Sequence, residues 1–243
     1  MPELRVFPTP EEMGDAAAEA LVEHLARLTA TVTDRRVDLA VAGGSVATVV
    51  LGRVPAPAAG VDWSRVRVWW VDERFVPCDD PQRNDLVARE VLLDRLPGVE
   101  VRPMPAADGT TSLEGATTRF RSERSGVMGT RSPDLALVGA GPDGHFASLF
   151  PGHPQLDSDD VVVAERHSPK PPPERISLTR GVVAGSGTVW VVAAGAAKRG
   201  VLAAALAGAD FHEVPVAALT GGRVVWWLDA AADPRPHAGP QRA

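Results

Sequence analysis

The segment GAGPDGH at 139–145 holds the side chains best suited to proton transfer. Its three glycines and one proline indicate a tight loop with a preset backbone. Asp143 and His145 flank Gly144, so a carboxylate and an imidazole can act together in one small region. Histidine titrates close to neutral pH, and a neighbouring carboxylate can orient its ring. The loop therefore predicts general acid–base chemistry, although a lone histidine is more often structural.

Two other kinds of chemistry can be weighed for the same region. Ser148 follows His145 by three residues, but the G-x-S-x-G turn of many serine hydrolases is absent. The histidines lack the spacing of metal ligands, and Cys78 is the only cysteine. We therefore expect no serine nucleophile, no metal site and no internal disulfide.

A second cluster, Gly43-Gly44-Ser45, has the composition of an anion-binding turn. Glycines let the backbone approach a ligand closely, and N–H groups at the start of a following helix suit a phosphate. A plain strand-to-helix turn with Ser45 as N-cap is the structural alternative. The cluster is neither a P-loop nor a dinucleotide fingerprint, because the required Lys and third Gly are missing.

Charged residues form the remaining candidates. Asp72-Glu73-Arg74 follows an apolar run, so at least one of the two acids is expected to form an internal ion pair. The planar fork of Arg74 suits a phosphate or carboxylate. Arg175 and Lys198 are further candidates; surface exposure is the usual fate of such residues.

Apolar runs precede most of these clusters and predict buried parallel strands. The predicted strands are Leu4–Phe7, Leu39–Ala42, Val66–Val71, Asp134–Val138, Thr188–Val192 and Val224–Leu228. Between them, helical spacing of apolar residues predicts helices over Pro10–Thr29, Pro81–Leu96, Ser112–Ser125 and Ala196–Ala207. This alternation indicates an α/β fold with an open, mostly parallel sheet. Four clusters then fall at one sheet edge, where α/β proteins bind ligands.

Composition excludes several classes of protein. The chain has 243 residues, 44% of them hydrophobic and 23% charged, as in an ordinary globular protein. The net charge of −6 and the lack of a basic run argue against nucleic-acid binding. There is no apolar run of transmembrane length and no secretory signal pattern. We expect a cytoplasmic protein of one domain, 1–243, with a frayed tail at 235–243 and no obligate protein partner.

Together the clusters resemble the 6-phosphogluconolactonase family. The resemblance is carried by AGGS at 42–45, VDERFVP at 71–77 with Asn84, and GAGPDGHFASLFPG at 139–152. RISLT at 175–179 and GAAK at 195–198 continue it in the same order. The resemblance implies a Rossmann-like three-layer α/β/α sandwich and hydrolysis of 6-phospho-D-glucono-1,5-lactone to 6-phospho-D-gluconate, without cofactor or metal.

The resemblance also implies a role for each candidate residue. His145 would be the general base, Asp143 would orient it, and Arg74 would either stabilise the oxyanion or position the sugar. The Gly43–Ser45 backbone, Lys198 and Arg175 would hold the phosphate. The full set of expected substrate-binding residues is Gly43, Gly44, Ser45, Asp72, Asn84, Gly141, Gly144, Arg175 and Lys198.

Two alternative functions remain open, and several positions of the sequence differ from the family pattern. A glucosamine-6-phosphate deaminase could use Asp72 as a base, although Asp72-Glu73-Arg74 favours the lactonase; a non-enzymatic sugar-phosphate sensor is a further alternative. The family often has Thr-Pro where Val46-Ala47 stand here, and a small or hydroxyl residue in place of Phe146. Arg83 precedes Asn84 where Ser is common. Pro169–Pro173 is interpreted as a stiff connector.

Overall fold

The computed structural model describes residues 1–56, 58 and 60–235. Strands and helices alternate along these residues, as the α/β interpretation requires. In chain order the strands are β1 (Glu3–Phe7), β2 (Val37–Val41), β3 (Val66–Trp70), β4 (Asp72–Arg74), β5 (Glu100–Arg102), β6 (Leu135–Gly139), β7 (Val162–Glu165), β8 (Arg175–Leu178), β9 (Thr188–Ala193) and β10 (Val224–Asp229).

Seven of these strands form a parallel sheet in the order β1-β10-β9-β6-β2-β3-β5. The chain runs from β2 outwards to β3 and β5, and then returns to β6 on the other side of β2. The order of the strands therefore reverses between β2 and β6. Such a reversal opens a crevice beyond the carboxyl ends of the two strands, and ligands of open α/β sheets bind there.

All six predicted strands lie in this sheet, and every residue of β2 is buried. Burial along the whole strand requires cover on both faces, which explains runs that are apolar without alternation. The short edge strand β5 was not predicted, because its Glu-Val-Arg sequence lacks an apolar run. The fold class is confirmed as α/β with a mostly parallel sheet.

Helices link the strands. They are α1 (Pro10–Thr31), α2 (Asn84–Val91), α3 (Leu113–Met128), α4 (Arg180–Ala184) and α5 (Arg199–Leu206). The α1 helix begins as predicted, because the Thr9 hydroxyl accepts a hydrogen bond from Glu12 N and Pro10 occupies the first turn. It packs against β1, β2 and β10.

The helix predicted over Pro81–Leu96 is shorter than expected. α2 covers only Asn84–Val91, and a 3₁₀ turn follows at Leu93–Arg95. The reason lies in β4: the buried Glu73 carboxylate accepts hydrogen bonds from the N–H groups of Asn84 and Asp85, so the helix starts there. Likewise, the helix predicted over Ala196–Ala207 begins with a 3₁₀ turn at Ala196–Lys198 before α5.

A second, antiparallel sheet of three strands, β4-β8-β7, was not predicted. It places Arg74 opposite Arg175, so two separate parts of the sequence meet in this sheet. The connector Pro169–Pro173 joins two strands of this sheet. The predicted frayed tail at 235–243 lies outside the described residues except for Arg235, which forms an ion pair with Asp233.

A buried carboxylate secures the opposite, amino-terminal end of the main sheet. Asp38 in β2 is fully buried. It accepts hydrogen bonds from Trp69 Nε1 at 2.9 Å, Arg67 Nη1 at 3.1 Å and Arg131 Nη1 at 3.2 Å. Removing one partner from a buried charge network of this kind is strongly destabilising, because it leaves the remaining charges uncompensated.

Replacing Asp38 by alanine is expected to lower the free energy of unfolding by about 3 kcal/mol, because Arg67 and Arg131 would lose their shared carboxylate. Chemical denaturation measures the change. Glu3→Ala is the control, since Glu3 forms an exposed ion pair with Arg5 that should contribute about 0–1 kcal/mol. Equal losses in both variants would contradict the structural role of Asp38.

Candidate active site

A cavity of about 360 Å³ opens at the carboxyl ends of β2 and β6. It lies at the strand reversal, as the sequence predicted. Ten of the predicted residues line it: Gly43, Gly44, Ser45, Asp72, Arg74, Asn84, Gly141, His145, Arg175 and Lys198. Asp143 stands directly behind His145 and contacts its ring.

His145 and Asp143 form the pair that the sequence predicted. Asp143 Oδ1 makes a short contact with His145 Nδ1. Nε2 is therefore the ring nitrogen that Asp143 does not contact. Gly141 lies against both side chains, since a Cβ atom at this position would overlap His145 Nδ1 and Asp143 Oδ1. Its N–H also donates to the His145 carbonyl at 2.7 Å. The Phe150 ring packs on the imidazole with ring centroids 4.8 Å apart.

Burial and neighbouring charges set the protonation of this pair. Burial lowers the pKa of His145 below its ordinary 6.5, and this effect outweighs the opposing contribution of Asp143. Burial alone would raise the pKa of Asp143, but the hydrogen bond and charge of His145 lower it overall. At neutral pH the pair is therefore a neutral imidazole beside an ionised carboxylate, and the imidazole can accept a proton.

Gly144 does not line the cavity, although it was predicted to bind substrate. Its φ of +84° favours glycine, and a Cβ atom there would lie 2.9 Å from Val214 Cγ1. Its carbonyl accepts a hydrogen bond from Val216 N at 2.8 Å. Gly144 therefore shapes the loop and joins it to the 214–216 segment.

Glu73 fixes the part of the site that contains Arg74 and Asn84. Its carboxylate accepts hydrogen bonds from Arg74 N at 2.8 Å and Asn84 N at 2.7 Å, and lies 3.8 Å from Arg83 Nη2. Burial raises the pKa of Glu73 to about 7. The expectation that one acid of the Asp72-Glu73-Arg74 cluster forms an internal ion pair is confirmed.

Asn84 connects this region to the glycine turn. Its Nδ2 donates to Asp72 O at 2.9 Å, and its Oδ1 accepts from Arg74 Nη1. A Cβ atom at Gly43 would overlap Asn84 Oδ1, so only glycine permits this approach. The segment that follows, Val46–Val50, is a single π-helical turn. Such turns are rare and often occur at functional sites.

The departures from the family pattern lie in the core and not in the cavity. Val46, Ala47 and Phe146 are all fully buried. Arg83 is also buried, and it donates to Asp85 at 2.7 Å and to the Met104 carbonyl at 2.8 Å. None of the four lines the cavity.

Arg175 has a different environment from that of a free phosphate ligand. It is buried, and its guanidinium donates to the carbonyls of Lys170 at 2.9 Å and Pro172 at 3.2 Å. Its Nη1 lies 3.9 Å from Asp72 Oδ2. Arg175 therefore holds the proline-rich segment against the cavity, in addition to lining it.

Sequence reasoning missed Lys170. It lines the cavity together with Lys198, and its Nζ lies 3.5 Å from His145 Nε2. Burial and the charge of Lys170 lower the pKa of Lys198. The composition could have identified Lys170 as a candidate, because Lys170 and Lys198 are the only two lysines of the chain. The other 23 residues of the Lys and Arg total are arginines.

Ser148 is not placed as a nucleophile. Its side chain is fully buried and donates to Asp72 Oδ2 at 2.7 Å. Within residues 1–56, 58 and 60–235, no three His, Cys, Asp or Glu side chains are arranged to hold a metal ion. None of the helices in the same residues has the length and apolar character needed to span a membrane.

Comparison with known proteins gives consistent results. The family model for glucosamine-6-phosphate isomerases/6-phosphogluconolactonase matches residues 8–227. The 6-phosphogluconolactonase of Mycobacterium leprae is 36% identical over 234 residues, covering 93% of this chain and 94% of that protein. For the Streptomyces coelicolor 6-phosphogluconolactonase the identity is 36% over 245 residues, with 95% and 93% covered.

A solved structure agrees with these sequence matches. The 6-phosphogluconolactonase of Trypanosoma brucei superimposes with a TM-score of 0.79 at 26% identity, covering 96% of this chain and 97% of that one. The family match at residues 8–227 alone includes every residue named in the cavity.

Proposed function

The chain belongs to the glucosamine-6-phosphate isomerase/6-phosphogluconolactonase family, and on this basis we propose that its cavity hydrolyses 6-phospho-D-glucono-1,5-lactone to 6-phospho-D-gluconate. One observation carries the proposal: the neutral His145 imidazole, oriented by Asp143, faces the same 360 Å³ cavity as two lysine ammonium groups. This arrangement suits an anionic substrate whose ester bond is broken by activated water.

The reaction needs one proton acceptor that later becomes a donor. His145 Nε2 takes a proton from water as the water oxygen bonds to the lactone carbonyl carbon. The tetrahedral intermediate then collapses, the bond from this carbon to the ring oxygen breaks, and the imidazolium returns the proton to the ring oxygen. Asp143 holds Nδ1 and stabilises the transient positive charge.

Phosphate binding positions the lactone for this step. Lys198 and the Gly43–Ser45 turn lie on the cavity wall, and Gly44 faces open space. Holding the remote phosphate fixes the carbonyl beside His145, which contributes to rate mainly by orientation. Arg74 lines the same cavity, and its Nη1 donates to the Gln82 carbonyl and to Asn84 Oδ1; we propose that it positions the sugar.

The test is lactone hydrolysis by the purified protein, with the lactone generated in situ and with EDTA in a parallel reaction. Because this lactone opens spontaneously, the quantity measured is acceleration over the buffer blank. Acceleration that persists with EDTA supports metal-independent hydrolysis. A folded protein that gives no acceleration contradicts the proposal, and ammonia release from glucosamine 6-phosphate then tests the deaminase reaction.

Replacing Lys198 by methionine is expected to raise KM about 10- to 100-fold, because a charged hydrogen bond to the phosphate contributes about 1.5–3 kcal/mol. We expect kcat to change much less, since the phosphate is remote from the breaking bond. Glucono-1,5-lactone without phosphate is the control substrate, and the variant should handle it as the wild type does. An unchanged KM for the phosphorylated lactone would remove Lys198 from the phosphate site.

A further inference from the structure

Both lysines of the chain lie at one cavity, while every other basic residue is an arginine. Lysine differs from arginine in presenting a compact ammonium with three freely rotating donors. Such a group can turn its donors towards a single oxygen atom on which negative charge develops. A planar guanidinium does this less readily. Lys170 lies beside His145 Nε2, whereas Lys198 belongs to the 3₁₀ turn before α5, so the two ammonium groups can have separate tasks.

Lys170 lies beside the reacting nitrogen. Its Nζ is 3.5 Å from His145 Nε2, the ring nitrogen that is not in contact with Asp143. The water activated by Nε2 must lie next to this nitrogen, and the lactone carbonyl must lie within bonding reach of that water. A carbonyl oxygen in this position is therefore close to the Lys170 ammonium.

The backbone that presents Lys170 is firmly held although its side chain is exposed. The Lys170 carbonyl accepts hydrogen bonds from Ser168 Oγ at 2.8 Å and from Arg175 Nη2 at 2.9 Å. Arg175 also binds the Pro172 carbonyl, and it is itself buried. Prolines on both sides further restrict the chain. Because the Lys170 backbone is fixed while its terminal ammonium is free to turn, the ammonium can reach the substrate with little reorganisation of the chain.

We propose that Lys170 is a catalytic residue that donates a hydrogen bond to the lactone carbonyl oxygen and stabilises the oxyanion of the tetrahedral intermediate. This role rests on the proposed lactone hydrolysis. The ammonium keeps its protons throughout: water supplies the attacking oxygen and His145 moves the proton. When the ring C–O bond breaks, the electron pair of the oxyanion re-forms the carbonyl double bond, and the departing ring oxygen takes the proton from His145. Arg175 is then a positioning residue for Lys170.

A phosphate role for Lys170 is the competing explanation, and the two make different predictions. A phosphate ligand contributes equally to ground state and transition state, so its loss raises KM. An oxyanion donor acts mainly in the transition state, so its loss lowers kcat. Only the phosphate role requires a phosphorylated substrate.

Charges around His145 provide a second, independent readout. Asp143, Asp72 and Lys170 all face the imidazole; the two carboxylates raise the pKa of His145, and Lys170 lowers it. In the pH profile of kcat/KM, the decrease on the acid side follows the pKa of the catalytic base in the free enzyme. We call this side of the profile the acid limb. Removing the Lys170 charge should therefore move this limb to higher pH, and removing the Asp143 charge should move it to lower pH.

The experiment compares Lys170→Met with Lys198→Met on 6-phosphogluconolactone and on unphosphorylated glucono-1,5-lactone. We expect Lys170→Met to lower kcat about 100-fold on both substrates, the usual effect of losing one oxyanion donor. Its acid limb should shift to higher pH, whereas that of Asp143→Asn should shift to lower pH. Lys170→Arg keeps the charge, so it should keep the wild-type acid limb and recover part of kcat.

Three results would overturn the assignment. They are a Lys170→Met effect confined to KM, an effect that vanishes with the unphosphorylated lactone, and an acid limb that stays in place. Wild-type protein without lactonase activity would instead refute the proposed function itself, so the two failures are distinguishable. Circular dichroism of each variant verifies that the fold is retained.

Discussion

Replacing His145 by alanine is expected to lower kcat by about two to four orders of magnitude, the usual contribution of general acid–base catalysis. The reason is specific to the geometry: His145 is the imidazole in the cavity, and burial keeps it neutral at pH 7. Steady-state kinetics on the phosphorylated lactone, corrected for spontaneous opening, measures the effect.

His167→Ala is the matched control. The His167 side chain is exposed, and the hydrogen bond of this residue to Glu165 uses its backbone N–H, so activity should not change. Near-full kcat in a folded His145→Ala protein would defeat the assignment of the base. Loss of activity in both variants would point to a general effect on the fold.

Gly141→Ala is expected to lower kcat about 100-fold although it removes no reacting group. A Cβ atom at this position would overlap both His145 Nδ1 and Asp143 Oδ1, so the pair must move apart from its present geometry. A displacement of about 1 Å in a catalytic group can cost about 100-fold in rate. The measurements are kcat and the melting temperature, because kcat should fall while the melting temperature stays close to that of the wild type.

Gly126→Ala makes the same substitution within α3, where an added Cβ atom meets no neighbouring atom. Activity should be unchanged there, and stability should rise slightly because alanine favours a helix interior. If Gly141→Ala retained wild-type kcat, the close packing of the glycine against the pair would have no catalytic importance. A drop in kcat with an unchanged melting temperature would confirm local displacement.

The sequence predicted the main sheet well because its signals are local. Buried parallel strands require uninterrupted apolar runs, and all six predicted runs became strands of this sheet. The loops that follow β2 and β6 then had to lie at one edge, since parallel strands all end there. The pairing of His145 with Asp143 was predictable because the two residues are only two positions apart in the sequence.

The smaller sheet was not predicted, and its strand β4 shows one reason, because β4 lacks the usual composition of a strand. β4 is Asp-Glu-Arg, which contains none of the β-branched or aromatic residues that are enriched in strands. It forms because β8 supplies an antiparallel partner and because Glu73 accepts three backbone N–H groups. Neither condition can be recognised from the local sequence.

The sequence by itself determined the fold class, the sheet edge that holds the cavity, and the His145–Asp143 pair. Only the tertiary structure decided that Lys170 meets His145, that Arg175 holds the Lys170 backbone, and that Gly144 supports the loop from behind. The physical reason is the separation of the contacting residues along the sequence. Strand burial and the contact between His145 and Asp143 are both encoded locally. The Lys170–His145 contact spans 25 residues and depends on how β7, the proline-rich connector and β8 pack.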